Sequence, residues 1–357
     1  MKIIKIETWQ ESVPLTRPYK ISRRLIDSVQ LFFVRIIADH AEGLGSASPF
    51  NAMTGETAES CLGAMASDEL REALVGQDPL YLGGLCRKVR DSAVCQGAPA
   101  ARAAMDMALH DLCGKVQGVA TVDMLGRCHD GLPTSITIGI KGVDETIEEA
   151  HEYLGRGFNS LKVKLGDSLS VDIERVYKIR EVFKDAVHIR VDANEGYDLN
   201  ETMEFCDAVK DLDLEFTEQP LPAAKLADLR SLVPRYHDQI ALDENLQGEH
   251  DALTLAVEPY LCRVFNIKLM KCGGISPGHA MANIAELAGR EVMWGCFDES
   301  VISLSAALHV AYSSPATKYL DLDGDFDLKS DPAHGDYQVR DGRLYLGNKP
   351  GLGTSLT

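Results

Sequence analysis

The chain has no Cys-x-x-Cys pair; its nine cysteines, at 61, 86, 95, 113, 128, 206, 262, 272 and 296, are scattered and odd in number. They read as reduced, mostly buried thiols of a cytoplasmic protein. Positive charge is scarce: 36 Lys and Arg stand against 54 Asp and Glu, for a net charge of −18. That deficit argues against nucleic acid or an anionic membrane surface as the main partner, and favours a cationic ligand. No stretch approaches the ~20 consecutive apolar residues of a membrane span. Charge also breaks the apolar run at the N-terminus, Met-Lys-Ile-Ile-Lys-Ile-Glu, so a soluble, intracellular protein is expected. There is no low-complexity segment and no internal repeat beyond an alternation of strands and helices.

What is present is enough for a large core: 45% of the 357 residues are hydrophobic. The length predicts one large barrel with a smaller attached domain, or two domains. Three runs rich in Ile, Val and Phe or bounded by Gly and Pro, at 2–14, 28–38 and about 42–48, predict an antiparallel meander. A polar, proline-containing loop at 16–27, carrying Lys20, Arg23 and Arg24, separates the first two, and a second loop at 49–56 follows the third. Helical patterns cover about 56–75, 78–94 and 98–117, the last with Ala100, Ala103, Ala104, Met107, Ala108 and Leu112 at helical spacing. Residues 1–125 therefore read as an α+β unit.

From about 134 to 322 short apolar strands alternate with amphipathic helical stretches. Strands are expected at 135–140, 161–165, 188–192, 214–218, 239–243, 264–269, 292–297 and 318–322. Eight such units predict an α/β fold of the (β/α)8, TIM-like barrel type over residues 126–325. An open doubly wound sheet would normally carry a glycine fingerprint after its first strand, and Ile138-Gly139-Ile140-Lys141-Gly142 lacks one. Residues 326–357 hold a short strand pair, 337–340 and 343–346, around an Asp341-Gly342 turn. This segment is expected to return to the N-terminal unit and complete it as a capping domain.

The strand ends carry the chemistry. In Leu161-Lys162-Val163-Lys164-Leu165 both lysines share one face of a strand. Taken alone, a solvated edge strand explains such a pair. However, Lys164, Asp192, Glu218, Asp243 and Lys268 follow one another at intervals of 28, 26, 25 and 25 residues, each about one βα unit. A closed barrel gathers them at one mouth, the face where barrel enzymes place their chemistry. Three convergent carboxylates tolerate one another when a cation lies between them or some bind protons. All-oxygen donors select Mg²⁺ or Mn²⁺. Asp243-Glu244 leaves open which of two adjacent acids faces the metal. Lys164 and Lys268, on strands flanking the carboxylates, would approach a bound molecule from opposite sides. Crowded by cations and partly desolvated, a lysine has a lowered pKa and can act as a general base, while Lys162 and the ion would stabilise an oxyanion.

The ordered set Lys162-x-Lys164, Asp192 with Asn194, Glu218-Gln-Pro, Asp243-Glu244 and Lys268-Leu-Met-Lys-Cys-Gly-Gly-Ile resembles the enolase superfamily, in its muconate-lactonizing-enzyme-like subgroup, over essentially the whole chain. The resemblance implies Mg²⁺ on Asp192, Glu218 and Asp243, acid/base catalysis by Lys164 and Lys268, and Lys162 beside the substrate carboxylate. Cycloisomerases, o-succinylbenzoate synthases, N-acylamino-acid racemases and dipeptide epimerases share that machinery. In the eighth strand, Asp321 and Asp323 face one way and are similar to the Asp-x-Asp motif with which dipeptide epimerases bind a free α-ammonium group. A Mg²⁺-dependent dipeptide epimerase is therefore expected, acting by 1,1-proton transfer at the α-carbon of the C-terminal residue. Asp298, after the seventh strand, favours Lys- or Arg-containing dipeptides. Arg24 in the first capping loop points instead to an L-Ala-D/L-Glu epimerase, and Thr137 on the first barrel strand joins the expected substrate contacts. The expected partner is a small dipeptide, with no nucleic acid and no membrane, and the expected assembly is a homo-oligomer. A Schiff-base aldolase barrel would need one lysine and no metal. A phosphate cradle at Gly273-Gly274 is the alternative to a tight βα turn there.

Overall fold

The computed structural model describes the backbone of residues 1–21, 24–257 and 259–357, and the side chains of all of these except 18–21 and 24–26. The chain opens with a three-stranded antiparallel sheet: β1 (Ile3–Ile21), β2 (Arg24–Ala38) and β3 (Glu42–Ala47). β1 and β2 do not stop at 14 and 28 as the apolar pattern predicts. Pairing resumes past an irregularity between Pro14 and Tyr19 and continues to Ile21↔Arg24. A backbone ladder needs no apolar alternation, so a ribbon that extends beyond the core leaves no hydrophobic signature.

Four helices of seven or more residues follow: α1 (Ala58–Met65), α2 (Asp68–Leu74), α3 (Leu82–Asp91) and α4 (Pro99–Gln117). The single helix expected at 56–75 is split because Ser67 caps a new one, its side chain accepting from Leu70 N–H. Glu56 is fully buried and binds the free N–H groups of Ala100 (2.6 Å) and Ala101 (3.1 Å) at the start of α4. α4 presents small residues to β3. A β-carbon at Gly45 would overlap the carbonyl of Ala104, and one at Gly43 the carbonyl of Ala108. Only glycine permits this close approach of strand and helix.

Eight parallel strands come next: β4 (Ile136–Ile138), β5 (Ser160–Lys164), β6 (His188–Asp192), β7 (Leu214–Glu218), β8 (Ile240–Leu242), β9 (Val264–Lys268), β10 (Glu291–Gly295) and β11 (Thr317–Asp321). They pair in chain order. A Thr134↔Leu320 bridge and the bond from Ser135 N–H to the Leu320 carbonyl (2.9 Å) bring the two ends together. Helices α5 (Val143–Gly155), α6 (Leu169–Phe183), α7 (Leu199–Val209), α8 (Leu226–Ser231), α9 (Glu249–Ala256), α10 (Ile275–Leu287) and α11 (Val301–Ala311) follow the first seven strands. The fold is a (β/α)8-type barrel with a separate N-terminal antiparallel sheet. The floor of the barrel is filled by Arg190, fully buried, whose guanidinium donates to Glu215, to Ser160 Oγ and to the Leu320 carbonyl between the rings of Phe216 and Tyr319. Pairing the charge on both faces keeps a buried arginine tolerable.

The C-terminal segment touches both units. Asp111 in α4, fully buried, accepts from Leu44 N–H of β3 and Leu352 N–H of the tail, both at 2.8 Å, and from Lys115 at 2.7 Å. The pair Gln338–Arg340 and Arg343–Tyr345 turns through Asp341 (φ 51°) and Gly342 (φ 66°), as expected, but pairs with Leu132–Pro133 at the entrance to the barrel.

Gly45→Ala should lower the free energy of unfolding by about 2–3 kcal/mol through overpacking against α4. Gly84→Ala in α3, where a β-carbon meets nothing within 4 Å, should leave stability unchanged or raise it by about 1 kcal/mol. Urea denaturation of the two variants checks both signs.

Candidate active site

Strand register builds the mouth of the barrel. Lys164 lies level with Asp192, and Asp192 with Glu218. On the other side Lys268 lies level with Gly295, and Gly295 with Asp321. A side chain at Gly295 would crowd Asn266 and the end of Lys268, so glycine leaves the lysine its path. The predicted charges do converge, and they are deeply buried: Asp192, Glu218 and Asp243 are fully covered and Lys162 is 2% exposed.

Lys162 is the central cation. Its Nζ stands 2.8 Å from Asp321 Oδ2, 2.9 Å from Glu218 Oε2 and 3.1 Å from Asp192 Oδ2. Burial works against its charge, but Asp321, Glu218 and Asp192 outweigh it and hold the ammonium well above the usual lysine range. Lys164 Nζ donates to Asp192 Oδ2 (2.7 Å) and Asn194 Oδ1 (3.0 Å). Lys268 Nζ donates to Asp243 Oδ2 (2.8 Å) and lies 5.0 Å from the centre of the Phe297 ring. Burial disfavours the charge on Lys268 too, yet Asp243 raises its pKa above the ordinary value. At Lys268 the carboxylate in contact outweighs the cations farther away.

The carboxylates divide by their partners. Burial and the neighbouring Asp192 push Glu218 up to about 7. Lys164 and Lys162 hold Asp192 below its usual value against burial, and Lys268 with Lys271 do the same for Asp243. Glu244, beside Asp243, is raised to about 8 by burial and by Asp243 and Asp192. Asn194 Nδ2 reaches Glu244 Oε1 at 3.4 Å.

Two buried carboxylate oxygens, Glu218 Oε2 and Glu244 Oε2, accept no hydrogen bond. For Glu218 this holds although Lys162 stands in ion-pair range, since proximity without alignment is not a hydrogen bond. Glu218 Oε2 is the one orphaned oxygen among Asp192, Glu218 and Asp243; an unpartnered buried oxygen within an all-carboxylate set is what a hard divalent cation requires, and the residues present fit one.

At the eighth strand, Asp321 is engaged through both oxygens, accepting from Ser135 Oγ (2.5 Å) and from Lys162 Nζ. Lys162 holds Asp321 down at about 2 despite its burial. Asp323 accepts from the Thr137 backbone N–H (2.8 Å) through Oδ2, and burial with the nearby Asp321 charge pushes it up to about 7. Thr137 thus enters the site through its main chain. Asp298 is half-buried just beyond β10, and its carbonyl accepts from Ser48 Oγ (2.7 Å). That bond ties the loop after β3 to the barrel mouth, where Phe50 also packs on Phe297 at 5.2 Å between ring centres. Arg24 opens β2; its side chain, and the whole of Arg23, lie outside the described residues.

Sequence reasoning assigned no role to three neighbours. Asn266, two residues before Lys268 on the same strand face, donates to Glu218 Oε1 at 2.6 Å; strand alternation could have found it. Lys271, fully buried, binds Asp243 from the turn after β9. Ser135, which supports Asp321, stands just before β4 and opens the strand expected at 135–140, where alternation sets it on the face of Thr137.

Glu299, 2% exposed, accepts from Phe297 N–H (2.8 Å), and burial pushes its carboxyl up from 4.5 to about 7. The folded protein keeps a proton that the unfolded chain releases above about 4.5. This contribution to stability is complete below that pH and is lost as pH rises through 7. Glu299→Gln, neutral throughout, should therefore gain melting temperature relative to the unsubstituted protein between pH 5 and 8; a constant difference across that range would contradict the assignment.

Residues 3–126 match the family model for the mandelate racemase/muconate lactonizing enzyme N-terminal domain, and residues 145–357 that for the enolase C-terminal domain-like unit. The L-Lys-D/L-Arg epimerase of Methylococcus capsulatus is 49% identical over 99% of each chain. The L-Ala-D/L-Glu epimerase of Bacillus subtilis is 33% identical over 99% of this chain and 96% of its own. The crystal structure of the dipeptide epimerase from Methylococcus capsulatus complexed with Mg and the dipeptide L-Arg-D-Lys superposes with a TM-score of 0.96, at 49% identity and 99% coverage of both chains. With both domain models matched and the lysines and carboxylates of the motif gathered at one barrel mouth, the chain belongs to the mandelate racemase/muconate lactonizing enzyme family of the enolase superfamily.

Proposed function

We propose that this protein is a Mg²⁺-dependent dipeptide epimerase that moves the α-proton of the C-terminal residue of a dipeptide and prefers Lys- or Arg-containing dipeptides. The observation that carries the reading is the placement of Lys164 and Lys268 at the ends of β5 and β9, flanking the three carboxylate strands. An α-carbon between them has an amine on each face, so a proton taken from one side is replaced from the other with inverted configuration. Lys268, its charge stabilised by Asp243, starts as the proton donor of the pair when Lys164 removes the proton. Lys162 stays protonated and steadies the negative charge left on the substrate carboxylate. A bound Mg²⁺, held by Asp192, Glu218 and Asp243, would supply Lewis-acid stabilisation of that charge.

Asp321 and Asp323 supply the negative charge for the ammonium of the first residue, with Asp321 shared with Lys162. The cationic preference rests on Asp298 at the rim, on the net charge of −18 and on the 49% identity with the L-Lys-D/L-Arg epimerase. An L-Ala-D/L-Glu preference is the weaker reading, supported by Arg24 and the lower identity of the Bacillus subtilis relative. Among the described residues no helix is long and apolar enough to cross a membrane, and all nine cysteines are unpaired; both suit a cytoplasmic location.

Incubation with Mg²⁺ and a mixture of L,L-dipeptides in D₂O should place deuterium at the C-terminal α-carbon, first in Lys- and Arg-containing members; mass spectra without deuterium in any member would end the proposal. Lys164→Ala should abolish exchange from one epimer while Lys268→Ala spares it, and equal loss of both exchanges in both variants would argue against the two-faced arrangement. Asp298→Leu should raise KM for cationic dipeptides about tenfold, the loss of one charge pair, with little change for apolar ones. An unchanged preference would reject that role for Asp298.

A further inference from the structure

Lys271 belongs to no part of the proton-transfer scheme, yet it is among the most completely enclosed cations in the protein, with its side chain fully covered. It sits in the one-turn helix Leu269–Cys272 immediately after β9. The chain reverses there through Gly273 at φ 91°, and a β-carbon on Gly273 would overlap the Arg102 guanidinium. The Lys271 ammonium has three acceptors: the Asp243 carbonyl at 2.6 Å, the Asn266 carbonyl at 3.2 Å and Asp243 Oδ1. Three N–H groups meet three fixed oxygens, so this lysine has no donor left for a substrate. A buried charge so fully bonded acts on what it holds: two main-chain carbonyls and, as its one side-chain acceptor, a particular oxygen of the Asp243 carboxylate. The other oxygen, Oδ2, faces Lys268.

We infer that Lys271 is a positioning residue that makes Asp243 a one-oxygen ligand and thereby sets the selectivity of the site for Mg²⁺ over Ca²⁺. Mg²⁺ takes six ligands in a tight octahedron, whereas Ca²⁺ accepts six to eight and uses carboxylates through both oxygens. Oδ1 is turned to Lys271 in the fully enclosed turn, whereas Oδ2 accepts one bond from Lys268 at the mouth and keeps a second lone pair for an ion; Asp243 then offers a single oxygen and the coordination number stays low. Released from Lys271, the carboxylate can offer two, which benefits the larger ion and not the smaller. Removing a positive charge also attracts any divalent cation more strongly, but that Coulombic gain is nearly the same for two ions of equal charge. The ratio of the two affinities therefore separates positioning from charge.

The inference rests on Asp243 being a ligand of the ion, as proposed above, and the test distinguishes the two. Mg²⁺ and Ca²⁺ dissociation constants are measured by titration calorimetry on the intact protein, for the unsubstituted chain, Lys271→Met and Asp243→Asn. In Lys271→Met the Kd(Ca²⁺)/Kd(Mg²⁺) ratio should fall about tenfold. Should the methionine variant not fold, Lys271→Gln, which holds Oδ1 by one neutral N–H, takes its place with a smaller shift in the same direction. A ratio within twofold of the original in the folded variant overturns the role of Lys271. Mg²⁺ binding unchanged in Asp243→Asn would instead overturn the ligand assignment beneath it.

Discussion

The structure depends on the confinement of opposite charges at the mouth of the barrel. Asp192, Glu218 and Asp243 are fully buried, and Asp321 is close to it. In isolation such a set would shed its charge, because desolvation and mutual repulsion both favour protonation. Lysines prevent this. Lys162 spans three of the carboxylates, while Lys268 and Lys271 hold the fourth from two sides. The balance is uneven, and at Glu218, pushed to about 7, and Glu244, pushed to about 8, burial and the neighbouring carboxylates together outweigh the local cations. Buried carboxylates left short of cations suit a site that receives a divalent ion.

Everything beneath the mouth serves to hold those charges at fixed height. The parallel register sets Lys164, Asp192 and Glu218 level with one another, and the Arg190 plug with its two aromatic neighbours fills the floor. Gly295 keeps the space beside Lys268 open. The N-terminal unit closes over the top through Ser48, Phe50 and the hairpin β1–β2, which is bonded to the barrel's last loop by Thr16 N–H to the Asp327 carbonyl at 2.8 Å. The charged groups thus stand at the ends of rigid strands, while loops of both units form the rim around them.

Much of this was legible because the relevant signals are short-range or periodic. His188–Asp192 and Leu214–Glu218 are found at the predicted bounds, since alternating apolar residues ending in a carboxylate leave little freedom. The even spacing of Lys164, Asp192, Glu218, Asp243 and Lys268 announced a closed barrel with one charged rim. The hairpin extension past residue 14 was invisible, because a ladder of main-chain bonds outside the core imposes no pattern on side chains. The break at Ser67 was missed for the opposite reason: the apolar pattern continued across a capping residue that restarted the helix.

The sequence by itself determined the fold class and the charged residues of the rim, which follow from local pattern and ordered spacing, and the family through the resemblance that its motifs carry. Only the tertiary structure decided how those charges are shared. That Lys162 reaches Asp321 across 159 residues, that Asp321 is occupied while Asp323 is held by the Thr137 main chain, and that Lys271 takes one oxygen of Asp243 are outcomes of barrel closure. Spacing can bring residues to the same rim, but which oxygen meets which ammonium depends on ångström-scale register and side-chain direction, and these are fixed only when all eight strands are in place.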